Sequence, residues 1–315
     1  MHLYVLKRLI AIVPVLIGLT VIVFCIMALI PGDPATAILG SYATPENVAK
    51  LNRDLGLDRS LPEQYFIWLG NMFQGDFGRS YSLNRPVIDE VLERFSATLI
   101  LAGAALVLCT VWGLLIGIWT AARQYGWTDK ILTFTVLVGI SVPSFWLGLL
   151  LILLFSVELR WLPASGMYAI YGGGDLPDLL RHLAMPAVTL SVVATGVIAR
   201  LTRSAMLEVL RQDFIRTARA KGVPESRVLY RHAFKAALVS VIPIIGVQAG
   251  FVLGGAVYIE TVFQWPGVGR MLVQAISTRD ILLVQGGVVV VAGSYVLFNL
   301  LADLAQSWLD PRVKS

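Results

Sequence analysis

The chain has 315 residues, of which 57% are apolar and 14% charged, with a mean hydropathy of +0.76. An ordinary soluble domain carries about 25% charged residues, so a water-soluble fold is excluded and an integral membrane protein is expected. The net charge of +5 would suit nucleic acid only if the basic residues shared one soluble face. Most stand instead in loops between apolar runs, which leaves the lipid bilayer as a partner and nucleic acid as none.

The first apolar run, residues 9–30, contains no Asp, Glu, Lys, Arg or His. Lys7 and Arg8 before it and Ala35-Thr36-Ala37 after it imitate a secretory signal. The run exceeds the roughly 7–15 residues of a signal core, however, and reads as an uncleaved first helix. A loop over 31–97 follows, mixing both signs of charge with Tyr65, Phe66, Trp68, Phe73, Phe77 and Tyr81. It is expected to fold as a small cap and is too short to hold a large catalytic core. Uncharged runs then recur over 98–122, 131–157, 183–199, 236–259 and 281–302. Each is long enough, or nearly so, to cross ~30 Å of hydrocarbon, and none alternates with period 2, so an all-α bundle of six transmembrane helices is predicted. Pro143 and Pro243 are expected to kink the third and fifth. Cys25 and Cys109 lie inside runs with no metal-ligand spacing, so no metal site is expected.

Six spans put both termini on one side. The loops on that side hold 15 Lys and Arg in 65 residues, against 10 in 113 on the other. By the positive-inside rule the termini are cytoplasmic and 31–97 is external. The implied organisation is 1–30 as the N-terminal end and first helix, 31–97 as the outer loop, 98–302 as a five-helix core and 303–315 as a cytoplasmic tail.

Within the core, the inner loop 200–235 holds nine Lys and Arg against three acids. Residues 204–221 read as one helix, with Leu207, Leu210, Phe214 and Ala218 on a stripe that Met206 and Ile215 widen. Gly222 supplies a left-handed cap, Pro224 blocks continuation, and Arg219 and Lys221 sit at the negative end of the dipole. Such a helix either docks a cytoplasmic partner or lies on the membrane with its basic residues fixing topology. In the fifth run Gly246, Gly250 and Gly254 form a stripe that either packs a neighbouring helix or leaves room for a solute, with Gln248 and Gln285 as candidate pathway side chains. Glu260 either meets a substrate amine or cation, or holds the Trp265-Pro266-Gly267 turn.

The runs hold no Asp, Glu or His for an ion relay. No lysine follows a glycine, so ATP cannot be bound through a phosphate loop, and no nucleophile stands beside a base. A conduit remains: a passive channel or scaffold, or a subunit driven by a partner.

Arg216-Thr217-Ala218-Arg219-Ala220-Lys221-Gly222 resembles the cytoplasmic Glu-Ala-Ala loop of binding-protein-dependent ABC importer permeases, in the form found in their peptide and nickel group. The order of further motifs supports this resemblance. They are Ile30-Pro31-Gly32-Asp33-Pro34, Leu55-Gly56-Leu57-Asp58, Gln64-Tyr65, Gly75-Asp76-Phe77-Gly78, Arg85-Pro86-Val87, Arg200-Leu201-Thr202-Arg203-Ser204, the run from Glu260 to Arg270, Arg279-Asp280 and Val284-Gln285-Gly286-Gly287. Departures are Arg216 in place of the wider superfamily's Glu, Ala236 and Ser240 where relatives often have Asn and Pro, and Ile281-Leu282 in place of Tyr-Pro.

The resemblance implies the ABC importer permease fold and a B-type subunit in the bacterial inner membrane. It implies a homologous C-type permease, two cytoplasmic ATPases that hold ATP and Mg, and an external solute-binding protein as partners, with no cofactor on this chain. Phe214, Ile215, Arg216, Thr217, Ala218, Arg219, Lys221 and Gly222 would meet an ATPase. Gln248, Gly250, Gly254, Glu260 and Gln285 are candidate pathway residues. Peptide is the expected cargo, with nickel chelates and glutathione as alternatives.

Overall fold

A computed structural model describes residues 2–29, 34–54 and 56–309. The motif residues Ile30, Pro31, Gly32, Asp33 and Leu55, and the tail residues 310–315, lie outside that set. In chain order the helices are α1 (His2–Leu29), α2 (Pro34–Leu39), α3 (Pro45–Asp54) and α4 (Leu61–Phe73), before a hairpin of β1 (Arg79–Ser80) and β2 (Arg85–Pro86). Then come α5 (Val87–Ala122), α6 (Trp127–Ser141) and α7 (Ser144–Leu151), which runs on as π-helix over Ile152–Glu158. The rest is α8 (Leu176–Leu210), α9 (Asp213–Ala220), α10 (Glu225–Arg227), α11 (Phe234–Val262), α12 (Val268–Ser277) and α13 (Ile281–Leu309). A π-helical turn, Val228–Ala233, joins α10 to α11. Among the described residues five helices are long and apolar enough to span a membrane, and a bent pair makes up to six. The chain is therefore the all-helical membrane protein expected from its composition.

Two compact units divide the chain, one of Thr98–Pro266 with the residues from Leu297 onward, the other of His2–Ala97 and Gly267–Val296. In the first, α8 is the central packing element. A Cβ on Gly117 of α5 would lie 2.5 Å from Thr202 Cβ and 2.8 Å from the Ala199 carbonyl, and one on Gly113 would lie 2.7 Å from Ile198. The missing side chains let α5 and α8 approach until backbone meets side chain. On α8 itself, Gly196 makes similar room for Ile140 of α6.

Two expectations change here and one is met. The fourth span is not a short 17-residue segment but the 35-residue α8, because its charged ends, including Arg181, Arg200 and Arg203, stay helical beyond the apolar stretch. The third span bends at Pro143 as expected, and does so as a full break, with α6 and α7 meeting at 104°. A residue before proline is pushed out of helical geometry, and Val142 is extended at φ −81°, ψ 128°. By contrast α11 continues through Pro243. Finally, residues 204–221 form two helices: α8 stops at Leu210, Gln212 is extended (φ −75°, ψ 153°), and α9 restarts at Asp213. An acid in the first turn favours that restart.

In the second unit, Met27, Val87, Val91, Val268, Met271, Ala275, Leu283 and Val284 form a core. Glu90 is buried between Arg85 (2.8 Å) and Arg94 (2.7 Å) at the start of α5. The hairpin pairs Arg79 with Pro86 and Ser80 with Arg85 and is latched to the beginning of α13. Fully buried Asp280 accepts bonds from Ser80 Oγ (2.6 Å), Ser82 Oγ (2.7 Å) and the Ser82 amide (3.1 Å). Its other oxygen caps α13 by accepting the Leu283 amide at 3.2 Å. Beside it, the Tyr81 hydroxyl donates to the Arg279 carbonyl and accepts the Ile281 amide at 2.6 Å.

Two predictions follow from this packing. Gly117→Ala forces an overpacked α5–α8 contact costing on the order of 1–3 kcal/mol, whereas Gly103→Ala meets open space. Thermal unfolding in detergent is expected to show a lower Tm for the first and no loss for the second. In the latch, burial pushes the Tyr81 pKa up to about 12, against the Ile281 bond and with the Asp280 charge adding to the rise. The folded state thus holds this proton more tightly than the unfolded chain, whose tyrosine titrates near 10. The stabilisation is complete below about pH 10 and is lost as pH rises through about 12. The Tm of the wild type relative to Tyr81→Phe is expected to fall across that window and to hold steady below it.

Candidate functional site

The turn between α8 and α11 gathers the loop residues singled out from the sequence. Ile215 of α9 is fully buried among Met206 and Val209 of α8, Val228 and Ala233 of the π-helical turn, Ala237 of α11, and Ile118 and Ala121 of α5. One side chain thus seats α9 on the ends of three long helices. At roughly 1.5–3 kcal/mol for burying a side chain of this size, the seat is firm for a helix of eight residues.

The opposite face stays open: Phe214 is 44% exposed, and Arg216, Thr217, Arg219, Lys221 and Gly222 are exposed, while Ala218 is half-buried. Gly222 closes α9 in the left-handed conformation (φ +74°). Its amide bonds to the Arg219 carbonyl at 2.9 Å and the Val223 amide to the Ala218 carbonyl at 3.2 Å, the two bonds of a Schellman cap. Arg219 forks onto Glu225, Nε to Oε2 at 3.1 Å and Nη2 to Oε1 at 2.6 Å. That carboxylate raises the guanidinium's pKa further and fixes its plane. The result is a rigid, capped helix with a mixed apolar and basic surface, attached to the spans and presented away from them.

Behind this turn sits a pair that sequence reasoning missed. Asp129, in the first turn of α6 and 5% exposed, accepts a bidentate bond from Arg203 of α8, at 3.1 Å from Nε and 2.9 Å from Nη2. Its carboxylate also accepts the Tyr125 amide (3.0 Å) and Thr133 Oγ1 (3.3 Å). The available signal was an isolated acid two residues before an apolar run, in a short loop otherwise basic, with no sequence cue to its partner 74 residues away.

The candidate pathway residues are not gathered in this way. Gln248 and Gly250 are buried on α11, while Gly254 is exposed with nothing within 4 Å of where a Cβ would stand. Glu260 is fully inside the same unit: it accepts Thr98 Oγ1 at 2.6 Å, and its carbonyl accepts the Trp265 amide at 2.8 Å. The bond to the turn is thus made by its backbone carbonyl, while its carboxylate is turned to Thr98. Gln285 is buried on α13 in the second unit.

Comparison with known proteins adds the following. The family described as binding-protein-dependent transport system inner membrane component matches residues 113–315, and the corresponding N-terminal membrane-component family matches residues 1–102. The chain is 41% identical to the dipeptide transport system permease protein DppB of Alkalihalophilus pseudofirmus over 99% of both chains. It is 40% identical to the di/tripeptide transport system permease protein DppB of Pseudomonas aeruginosa, over 99% of this chain and 98% of that one. Among solved structures it is similar in fold to an inward-facing MetNI methionine ABC transporter chain, with TM-score 0.58 and 18% identity over 70% of this chain and 96% of the other.

Removing one partner of the Asp129–Arg203 pair leaves a largely buried charge uncompensated. Because Arg203 keeps 28% of its side-chain surface exposed, the cost should fall below the roughly 3–5 kcal/mol of a fully buried pair. Asp129→Ala and Arg203→Ala are each expected to lower the Tm in detergent, and Arg203→Lys to recover only part, since an ammonium cannot reproduce the two-pronged bond.

Proposed function

The chain belongs to the binding-protein-dependent transport system inner membrane component family, and we propose that this membrane-embedded permease forms half of a peptide path driven by separate ATPases. Peptide is chosen because the relatives at 41% and 40% identity are named for dipeptide and di/tripeptide transport. In this reading an external solute-binding protein delivers the cargo, a homologous C-type permease supplies the other half, and two cytoplasmic ATPases hold ATP and Mg. Both termini are cytoplasmic, residues 31–97 are external, the core runs over 98–302, and 303–315 is a cytoplasmic tail.

The observation that carries the reading is α9. A helix whose Ile215 is locked into α5, α8 and α11, and whose Phe214, Arg216, Thr217, Arg219 and Lys221 are open, transfers a push from a docked partner to several spans at once. Gly222 sets the angle of that helix through its cap, and the Arg219–Glu225 fork stiffens it. Asp129 and Arg203 extend the connection from α8 to α6. Within the spans, Gln248, Gly250 and Gly254 on α11 are the side chains and backbone proposed to meet cargo when the helices part, and Gln285 is a further candidate on α13.

The test is uptake by the complex reconstituted with its ATPases and binding protein. Gly222→Val places a β-branched residue at φ +74°, at a cost of roughly 1–2 kcal/mol to the cap. Peptide uptake is expected to fall severalfold as the cap loses its fixed geometry, while membrane insertion and ATP hydrolysis persist. Wild-type uptake by this variant would remove α9 from the coupling path. Uptake by the chain alone, without ATP or partners, would replace the driven permease with a passive channel.

A further inference from the structure

Helix α4 is an apolar helix with no buried residue. Leu61, Phe66, Ile67 and Phe73 are exposed at 55%, 68%, 41% and 80%, and Glu63 is the one charge in its thirteen residues. In water such a helix would present a contiguous apolar patch with nothing to cover it. Its place in the unit it shares with α1 sets it against an apolar, span-length helix. The Tyr65 ring meets Phe24 edge-on at 5.5 Å, the Trp68 ring lies 6.1 Å from the same phenyl, and the Tyr65 hydroxyl is 3.0 Å from Thr20 Oγ1.

Depth follows from that last bond. Thr20 and Leu29 belong to the apolar stretch Ile12–Leu29 that α1 uses to span the membrane. Nine residues of helix separate them, about 13.5 Å along the axis, close to half of a ~30 Å hydrocarbon layer. A tyrosine whose hydroxyl touches Thr20 therefore sets α4 alongside the half of α1 nearer Leu29, not beyond its end. The pattern along α4 agrees. At roughly 100° per residue, Phe66, Leu69 and Phe73 form one apolar arc, apart from the face that carries Tyr65 and Trp68, while the third side holds Glu63 and Asn71 with Ile67 between them. An apolar arc flanked by Trp and Tyr suits a membrane interface. Around it α1 exposes Ile17, Ile22, Ile26 and Leu29, side chains whose surroundings in a spanning helix are lipid.

We infer that α4 is an interfacial membrane helix, packed along the half of α1 nearer Leu29, whose Phe66, Leu69 and Phe73 arc is covered by phospholipid acyl chains. The loop between the first two spans is thereby partly a lipid-binding element and not wholly an aqueous cap. This holds whatever the complex carries.

The test uses the chain purified with the subunits that accompany it, in vesicles of phosphatidylethanolamine and phosphatidylglycerol. In a Cys25→Ser, Cys109→Ala background, single nitroxide labels at Glu63→Cys, Phe66→Cys, Asn71→Cys and Phe73→Cys are scored for collision with oxygen and with an aqueous nickel chelate. Labels at 66 and 73 are expected to favour oxygen several-fold over those at 63 and 71. Equal access of the nickel chelate to all four overturns the inference in favour of an aqueous surface. Labels at 66 and 73 shielded from both colliders overturn it in favour of a protein partner. Phe66→Trp in the otherwise unaltered chain gives an independent readout: brominated acyl chains should quench the added tryptophan, and no quenching beyond that of the wild type counts against lipid contact.

Discussion

Inside a bilayer there is no water to bond a free amide or carbonyl, so a spanning chain must close its backbone hydrogen bonds within itself, and the difficult places are the helix ends. Five times among the described residues this chain ends a helix in the same way, with a left-handed residue and the two bonds of a Schellman cap, and at α3 and α4 that residue is Gly56 and Gly75. At α9 that residue is Gly222. At α11 it is Gln264 (φ +51°), with the Trp265 amide on the Glu260 carbonyl at 2.8 Å, and at α12 it is Arg279 (φ +57°), with the Asp280 amide on the Ala275 carbonyl at 2.8 Å. Side chains other than glycine in that region cost roughly 1–2 kcal/mol each. Full burial of Trp265 and Asp280 immediately afterwards ties each cap to the unit that contains it. Asp280 does double service, closing α12 with its amide and opening α13 with its carboxylate.

The charges obey the same constraint. Carboxylates with little solvent access stand at or near helix ends and are matched: Glu90 by Arg85 and Arg94, Asp129 by Arg203, Asp280 by serine hydroxyls and amides. This keeps the long apolar middles of the spans free of ionisable groups while fixing how their ends are joined. At the α8–α11 turn it fixes a short helix. Hydrophobic burial of Ile215 holds α9 to the bundle, the cap and the Arg219–Glu225 fork hold its direction, and Phe214, Arg216, Thr217 and Lys221 stay exposed.

Much of this was legible from residue order. Uncharged runs marked the spans, Gly222 and Pro224 marked the end of the inner helix, and the loop motif marked the family. The misreadings have physical causes. Hydropathy underestimated α8 because helical structure does not stop where charge begins. It ran α6 into α7 as well, where Pro143, read as a kink, marks the bend that polarity does not. It also ran α8 into α9 because one extended residue, Gln212, leaves no trace in a hydrophobic stripe.

The sequence by itself determined the membrane class, the approximate spans, the basic loop over 200–235 and its terminal cap, since each depends on groups a few residues apart acting through hydrogen bonds and transfer free energy. Only the tertiary structure decided that Asp129 belongs to Arg203, that Ser80 and Ser82 belong to Asp280, and that Glu260 is held inside by Thr98. It also decided that Tyr65 reaches down to Thr20. Those partners are brought together by close helix packing across tens to hundreds of residues, and an unpaired polar residue in a sequence carries no mark of which distant group will satisfy it.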